Sequence, residues 1–303
     1  MKIALTGGAG FIGSNIAEKL IEKDYDLTVV DNFHTGDKEN LEQVLGKINI
    51  VNSESGKFFE QTDEKFDLIC HQGVYSSTPM YMQDHKLTSK IYDEFVSILE
   101  YARKNDIKKV VYASTSSIYN GHNPPQNEDM IPYITDFYTE GRYAMDRIGE
   151  LYHKLYGINI VGLRYFSVYG PHEKSKGNYA NLISQFLWAM TKNEEPVVYG
   201  DGTQTRDFTY VDDIANANIL SLEKEVSGIF NVGTGKNITI NEMIEILNKK
   251  LGKKLKPKYI INPIKNYVQT TLADTTKAEK ELGFKAKITL EEGIERLIKY
   301  YGV

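Results

Sequence analysis

Tyr138 and Arg142 stand four residues apart in the run Phe137-Tyr138-Thr139-Glu140-Gly141-Arg142. On a helix that spacing puts both side chains on one face. A cation beside a phenol favours the phenolate, so the pair suits Tyr138 to general acid/base work near neutral pH. Upstream, Lys109-Val110-Val111-Tyr112-Ala113 reads as a strand running into Ser114-Thr115-Ser116-Ser117. Hydroxyls at a strand end lie where open α/β sheets hold their ligands.

A second constellation is Thr6-Gly7-Gly8-Ala9-Gly10-Phe11-Ile12-Gly13. Gly7, Gly10 and Gly13 follow an apolar strand and open a helix. Without Cβ atoms, such a turn brings backbone N–H groups close to a pyrophosphate, and the helix N-terminus faces its charge. Gly7, Gly10, Phe11, Ile12 and Gly13 are therefore the expected phosphate contacts of a dinucleotide. Asp31 lies at the expected distance along the chain, after Val29-Val30. A carboxylate there suits both ribose hydroxyls and repels a 2′-phosphate, which favours NAD over NADP. Asn32 is counted with these contacts, and Lys38 partly offsets the repulsion.

The elements that must position these residues alternate. Short apolar runs at 2–6, 26–30, 68–71, 109–113 and 159–164 read as strands, and 11–23, 89–105 and 138–156 as helices. Such alternation predicts an α/β fold with a doubly wound parallel sheet and a ligand at the carboxyl ends of its strands. After Tyr169-Gly170-Pro171 the rhythm changes. Residues 1–170 are expected to form a dinucleotide-binding domain, with a return to its sheet near 208–224. Residues 171–303 are expected to form mainly a smaller C-terminal α/β substrate domain.

Composition narrows the class. The 303 residues carry 36 Lys+Arg against 41 Asp+Glu, a net charge of −5, which gives no pull toward nucleic acid or an anionic membrane. No apolar run reaches the roughly 18 residues of a membrane helix. The single cysteine, Cys70, makes no internal disulfide and points to a reducing, cytoplasmic setting. The six histidines, His71 among them, show no ligand spacing, so no metal is expected. Lys249, Lys250, Lys253, Lys254, Lys256 and Lys258 read as a solvated helix end and loop.

Together the glycine motif, Asp31, the hydroxyl-rich strand end and the tyrosine helix resemble the extended short-chain dehydrogenase/reductases. Within them the chain is similar to the NAD-dependent nucleotide-sugar epimerases and dehydratases, which have a Rossmann-like fold. Leu163-Arg164-Tyr165-Phe166-Ser167-Val168-Tyr169-Gly170-Pro171, Tyr199-Gly200-Asp201-Gly202, Thr205-Arg206-Asp207-Phe208-Thr209-Tyr210-Val211-Asp212-Asp213, Phe230-Asn231-Val232-Gly233-Thr234-Gly235 and Leu272-Ala273-Asp274 extend the likeness over nearly the whole chain.

The resemblance implies that Tyr138 is the acid/base, that Thr115 hydrogen-bonds the sugar hydroxyl, and that Arg142 stands where a lysine normally bonds the nicotinamide ribose. Arginine keeps the charge but is planar and larger. Ser167 stands where the family often has Asn, Ile91 replaces another frequent Asn, and Asn52-Ser53-Glu54 lacks the usual adenine-contacting Asp. Dehydratases and decarboxylases place an acid just after the Thr115 position. Ser116 and Ser117 stand there instead, so the resemblance points to an epimerase acting through a transient keto sugar, a UDP-sugar 4-epimerase first.

His71-Gln72-Gly73-Val74-Tyr75-Ser76-Ser77-Thr78 and Gly170-Pro171-His172-Glu173-Lys174-Ser175-Lys176-Gly177 resemble heptose-nucleotide 6-epimerases instead, in which Lys176 would act near the sugar; the alternative is a solvated loop lysine. Asn266 and Tyr267 replace the usual Gly-Asp and Arg of UDP-sugar members. Arg206 suits a bidentate phosphate clamp, against an ion pair with Asp207 or Asp213. Asn181 and Leu182 resemble residues lining the nucleotide and Tyr199 one covering its base, against ordinary packing. A reductase, an atypical dehydratase and a non-catalytic dinucleotide-binding protein remain as alternatives, and a homodimer built from two helices per subunit is implied.

Overall fold

The computed structural model describes residues 1–263 and 267–303; Asn266 lies outside the described residues. Seven parallel strands form the central sheet: β1 Lys2–Thr6, β2 Asp26–Asp31, β3 Ile48–Asn52, β4 Leu68–His71, β5 Lys109–Thr115, β6 Asn159–Tyr165 and, after short strands described below, Gly228–Val232. From edge to edge the order is Gly228–Val232, β6, β5, β4, β1, β2, β3. The winding reverses between β1 and β4, so a crevice opens at their carboxyl ends. Registers pair Thr6 with His71 and Thr115 with Tyr165, so the site-bearing strand ends lie on one side.

Helices α1 Phe11–Glu22, α2 Ser55–Gln61, α3 Thr78–Gln83, α4 Leu87–Lys104 and α5 Phe137–Tyr156 follow in chain order. Ile16, Leu20 and Leu5 belong to a buried cluster on one face of the sheet, and Phe95, Ile98, Tyr112 and Met145 to another on the opposite face. The chain then adds β7 Val168–Tyr169, α6 Leu182–Thr191, β8 Val197–Tyr199, β9 Thr205–Arg206, β10 Thr209–Tyr210 and α7 Val211–Glu223. β11 is the sheet strand Gly228–Val232, followed by β12 Ile238–Thr239, α8 Ile240–Leu251, β13 Lys258–Ile260 and α9 Leu290–Tyr301. Over 211–232 the chain comes back to the sheet: α7 packs against α1, and β11 lies beside β6. Ile183, Leu187, Met243, Leu247 and Leu297 gather in a third cluster, the core of the smaller C-terminal part.

Two strands differ from the sequence expectation. Ile48-Asn49-Ile50-Val51-Asn52 lacks a continuous apolar run because β3 is an edge strand with exposed Asn49 and Asn52. β11 alternates less visibly because Asn231 is buried by hydrogen bonds rather than by apolar packing.

α5 is held firmly. Asp136 caps it, accepting the Thr139 N–H at 2.8 Å, and Gly157 ends it in the left-handed region at φ +71°. In its middle, buried Asp146 receives both Nε and Nη2 of Arg164 on β6, at 3.0 and 2.9 Å. The Tyr112 hydroxyl of β5 donates to the other carboxylate oxygen at 3.0 Å. Arg164 Nη1 continues to Tyr119 Oη, which donates to Asn231 Oδ1 on β11. One network therefore ties α5 to three neighbouring strands.

Removing one member of a buried ion pair leaves the other charge uncompensated. Asp146→Ala is expected to lower unfolding free energy by about 3–5 kcal/mol, read from urea denaturation. His71 gives a pH dependence. Burial, reinforced by the Arg142 charge, lowers its imidazole pKa to about 3, against an ordinary value of 6.5. The folded state keeps it neutral while the unfolded chain takes up a proton below 6.5. Its stabilising contribution is complete above pH 6.5 and is lost as pH falls toward 3. Between pH 7 and 5 the wild type should lose about 2 kcal/mol that His71→Gln does not lose.

Candidate active site

The turn after β1 is shaped by close backbone approach. Gly7 has φ +65°, and a Cβ there would sit 2.5 Å from Gly73 N at the end of β4. A Cβ on Gly13 would sit 2.0 Å from Gly7 O. Only glycine fits either place, which leaves the first turn of α1 open to a ligand's phosphates. Asp31, at the end of β2, reaches back to this loop: Oδ2 accepts Ala9 N–H at 2.9 Å and Oδ1 accepts Phe33 N–H at 2.7 Å. Its carboxylate keeps further lone pairs for ribose hydroxyls. Asp31 and Asn32 line a small cavity of about 80 Å³ that shares Gly7, Gly10 and Gln72 with a larger cleft. Lys38 lies over the Phe33 ring, 5.7 Å from its centroid. The cradle and the carboxylate fit a dinucleotide with free ribose hydroxyls.

The larger cleft, about 770 Å³, runs between the sheet ends and the C-terminal part. Gly7, Gly10, Phe11, Ile12 and Gly13 line one wall, and Thr115, Tyr138 and Arg142 line it farther along. Thr115 Oγ1 accepts the Ser117 N–H at 3.1 Å, so its own hydroxyl hydrogen is left to donate. Tyr138 is buried except for an edge on the cleft, with Tyr81 packed on its ring at 5.4 Å.

Arg142 is almost wholly buried. Nη1 donates to Ala113 O at 2.7 Å and Nη2 to Tyr75 O at 3.2 Å. Its Cζ lies 5.3 Å from the Tyr138 ring centroid. The guanidinium therefore bridges the end of β5 and the segment after β4 while resting against the phenol. A lysine ammonium has no planar fork with which to span both carbonyls in this way.

The C-terminal side contributes Ser167, Lys176, Asn181 and Arg206 to the lining. Ser167 follows β6 with φ +21°, and its carbonyl accepts the Thr209 N–H. Asn181 caps α6 through Ile183 N–H at 3.0 Å. Arg206 makes no ion pair among the described residues. Its guanidinium donates to the carbonyls of Thr205, Val268 and Gln269 and lies 5.1 Å from the Tyr267 ring. The ion-pair alternative fails because Asp207 accepts from Thr234, Gly235 and Ala273, and Asp213 from Lys287 and Ile288.

Leu182 and Tyr199 are not brought to the cleft. Leu182 packs on the C-terminal core, and Tyr199 meets the edge of Tyr267, which does line the cleft. Gln72, Thr78, Glu173 and Thr271 also line it without having been singled out. Gln72 had a signal, following a strand end directly. Thr78 and Glu173 lie in the two segments that resemble heptose-nucleotide 6-epimerases, and Thr271 had no signal, because it arrives through tertiary contact. Ile91 is buried against Gly141 rather than facing a ligand. Among the described residues no cluster of histidine, cysteine or carboxylate side chains is arranged to hold a metal ion, and no helix is long and apolar enough to cross a membrane.

Residues 3–233 match the NAD dependent epimerase/dehydratase family. A putative UDP-glucose 4-epimerase of Methanocaldococcus jannaschii is 37% identical, over 98% of this chain and 97% of that protein. A UDP-glucuronate 4-epimerase of Thermodesulfobacterium geofontis is 35% identical, over 98% and 94%. The crystal structure of UDP-glucose 4-epimerase from Thermotoga maritima with UDP-glucose superposes with a TM-score of 0.93 at 31% identity, covering 100% of this chain and 99% of that one. The glycine cradle, the seven-stranded sheet and these likenesses agree: the chain belongs to the NAD-dependent epimerase/dehydratase family of nucleotide-sugar enzymes.

Proposed function

We propose that this enzyme is a UDP-sugar 4-epimerase working through a transient 4-keto sugar. The observation that carries the reading is the meeting of Tyr138, Thr115 and Arg142 on one cleft whose adjoining positions, Ser116 and Ser117, are hydroxyls rather than carboxylates. Elimination or decarboxylation calls for an acid/base beside a second sugar carbon. Epimerisation needs a proton moved on and off one hydroxyl.

When bound, NAD supplies the acceptor for the hydride of the oxidised carbon and returns it. Tyr138 takes the proton from the sugar hydroxyl as the carbonyl forms and gives it back as the carbonyl is reduced. Thr115 donates its free hydroxyl hydrogen to the same sugar oxygen. Arg142, its guanidinium 5.3 Å from the Tyr138 ring centroid and bonded to Ala113 O and Tyr75 O, ties the tyrosine's surroundings to the ends of the sheet. Arg206 and Asn181 hold the diphosphate at the other end, so that the keto sugar turns while its nucleotide stays anchored. A cytoplasmic homodimer completes the reading. Exposed Leu151, Leu155 and Tyr156 on α5 and Tyr92 on α4 supply an apolar outer surface for a second copy.

Proton NMR with UDP-glucose, UDP-N-acetylglucosamine and UDP-glucuronate, each with catalytic NAD, tests the reaction. A new anomeric signal at an equilibrium ratio, without net NADH, is expected from one of them. A dehydrated or decarboxylated product, or stoichiometric NADH, overturns it. Tyr138→Phe is expected to lower turnover by about 10²–10⁴-fold with bound NAD unchanged. Arg142→Lys keeps the charge but loses one carbonyl partner. It should stay within about tenfold of wild-type turnover while losing about 1–3 kcal/mol of stability, read from paired kinetics and denaturation.

A further inference from the structure

The segment Glu173–Tyr179, a 3-10 stretch bent at Gly177 (φ +52°), is pinned from several sides. Glu173 is fully buried, and its carboxylate accepts Asn181 N–H and Ser184 Oγ, both at 2.6 Å, at the start of α6. Asn40 links the segment to the glycine turn. Its amide donates to Ala9 O at 2.9 Å and lies 3.4 Å from Ser175 Oγ. Across the cleft, the Tyr179 hydroxyl donates to Gln83 Oε1 on α3 at 3.2 Å. The segment thus spans the cleft from the glycine turn to α3.

Lys176 sits in the middle of this span. Its side chain is only 16% exposed, and Nζ lies 5.6 Å from the ring centroid of Phe11, the first residue of α1. Its ionic neighbour is Glu173 at 3.8 Å, beyond hydrogen-bond range, and among the described residues the ammonium donates no hydrogen bond. The carboxylate that would neutralise it is already engaged by α6. A largely dehydrated cation without a full partner is costly. Lys176 lines the same cleft as Gly10, Phe11, Ile12 and Gly13, the turn that faces the phosphates of NAD.

We propose that Lys176 binds the pyrophosphate of NAD, and that Glu173–Tyr179 is a strap that keeps the cofactor in place between turnovers. The contact rests on the NAD site; its purpose rests on the epimerase reading, in which one cofactor must give the hydride back to the sugar that supplied it. Lys176 on the sugar, the other role open to it, makes a different prediction.

The test uses the full-length holoprotein; NAD and ADP-ribose binding are measured without sugar nucleotide, and turnover and KM for the sugar nucleotide are measured separately. NAD per chain is measured after gel filtration by acid release, and NAD loss is followed on dilution into an NAD-hydrolysing enzyme. Displacement of NAD by ADP-ribose, which carries the same pyrophosphate, is titrated in parallel. Lys176→Met is expected to release NAD about tenfold faster or more, and to bind ADP-ribose about tenfold more weakly. Lys176→Arg should restore most of both. Raising KCl should speed release from wild type more than from Lys176→Met, because the lost contact is ionic. Tyr179→Phe removes only the cross-cleft bond and should speed release about two- to fivefold. Thermal midpoints identify a variant that merely unfolds, in which case Lys176→Arg and the salt series decide. Wild-type release and ADP-ribose affinity in folded Lys176→Met overturn the proposal, and a raised sugar-nucleotide KM in that variant moves the lysine to the sugar. A wild type that holds NAD tightly yet epimerises nothing overturns the epimerase reading and leaves the strap standing.

Discussion

The buried pair of Asp146 and Arg164 is the constraint on which the geometry of the cleft depends. Two opposite charges far from water are tolerable only when their hydrogen-bonding capacity is taken up, and here Tyr112, Tyr119 and Asn231 take it up. The result is directional. A hydrophobic contact would let α5 slide or roll over the sheet, but a bidentate guanidinium from β6 fixes its height and rotation. Arg142 and Tyr138 lie about one and two turns nearer the helix start, so their reach over the ends of β4 and β5 is set by a contact that touches no ligand.

Arg142 extends the same logic into the site. The lysine usual at this position in the family is a compact, mobile charge. The arginine is a fixed bracket whose donors close on main-chain carbonyls of Ala113 and Tyr75. Charge beside the phenol is retained, while freedom to follow a ligand is reduced. The neighbouring His71 is kept neutral partly by this cation, so the interior here holds one positive charge rather than two. Thr6 bonds the His71 ring at 2.6 Å and Gly73 N–H at 3.1 Å, which links the bracket to the crossing point of the glycine turn.

Much of this was legible in the residues because the signals were local. A glycine turn between strand and helix, an acid after the second strand, and a tyrosine with a cation four residues on each follow from spacing along one element. What escaped depends on contacts between distant segments. The main-chain partners of Arg142 leave no trace in side-chain types. β3 is an edge strand and β11 contains a buried asparagine, so neither shows a continuous apolar run. The likeness that marks Leu182 and Tyr199 carries no information on their neighbours in space, the C-terminal core and Tyr267, which hold them back from the lining of the cleft. Arg206 lines the cleft with its guanidinium on main-chain carbonyls rather than on Asp207 or Asp213, partners that side-chain types alone do not reveal.

The position of β11 has a consequence for how the molecule is made. β6 pairs on one side with β5 and on the other with Gly228–Val232, which the chain reaches only after α6 and α7. As the polypeptide leaves the ribosome, the nucleotide-binding half acquires its first six strands while one long hydrophobic edge, from Asn159 to Tyr165, still has unpaired main-chain groups. An open parallel edge of this kind is a template for pairing with another nascent chain. The segments from β7 through α7 are threaded between β6 and its partner strand, so the central sheet is sealed only after they have been synthesised.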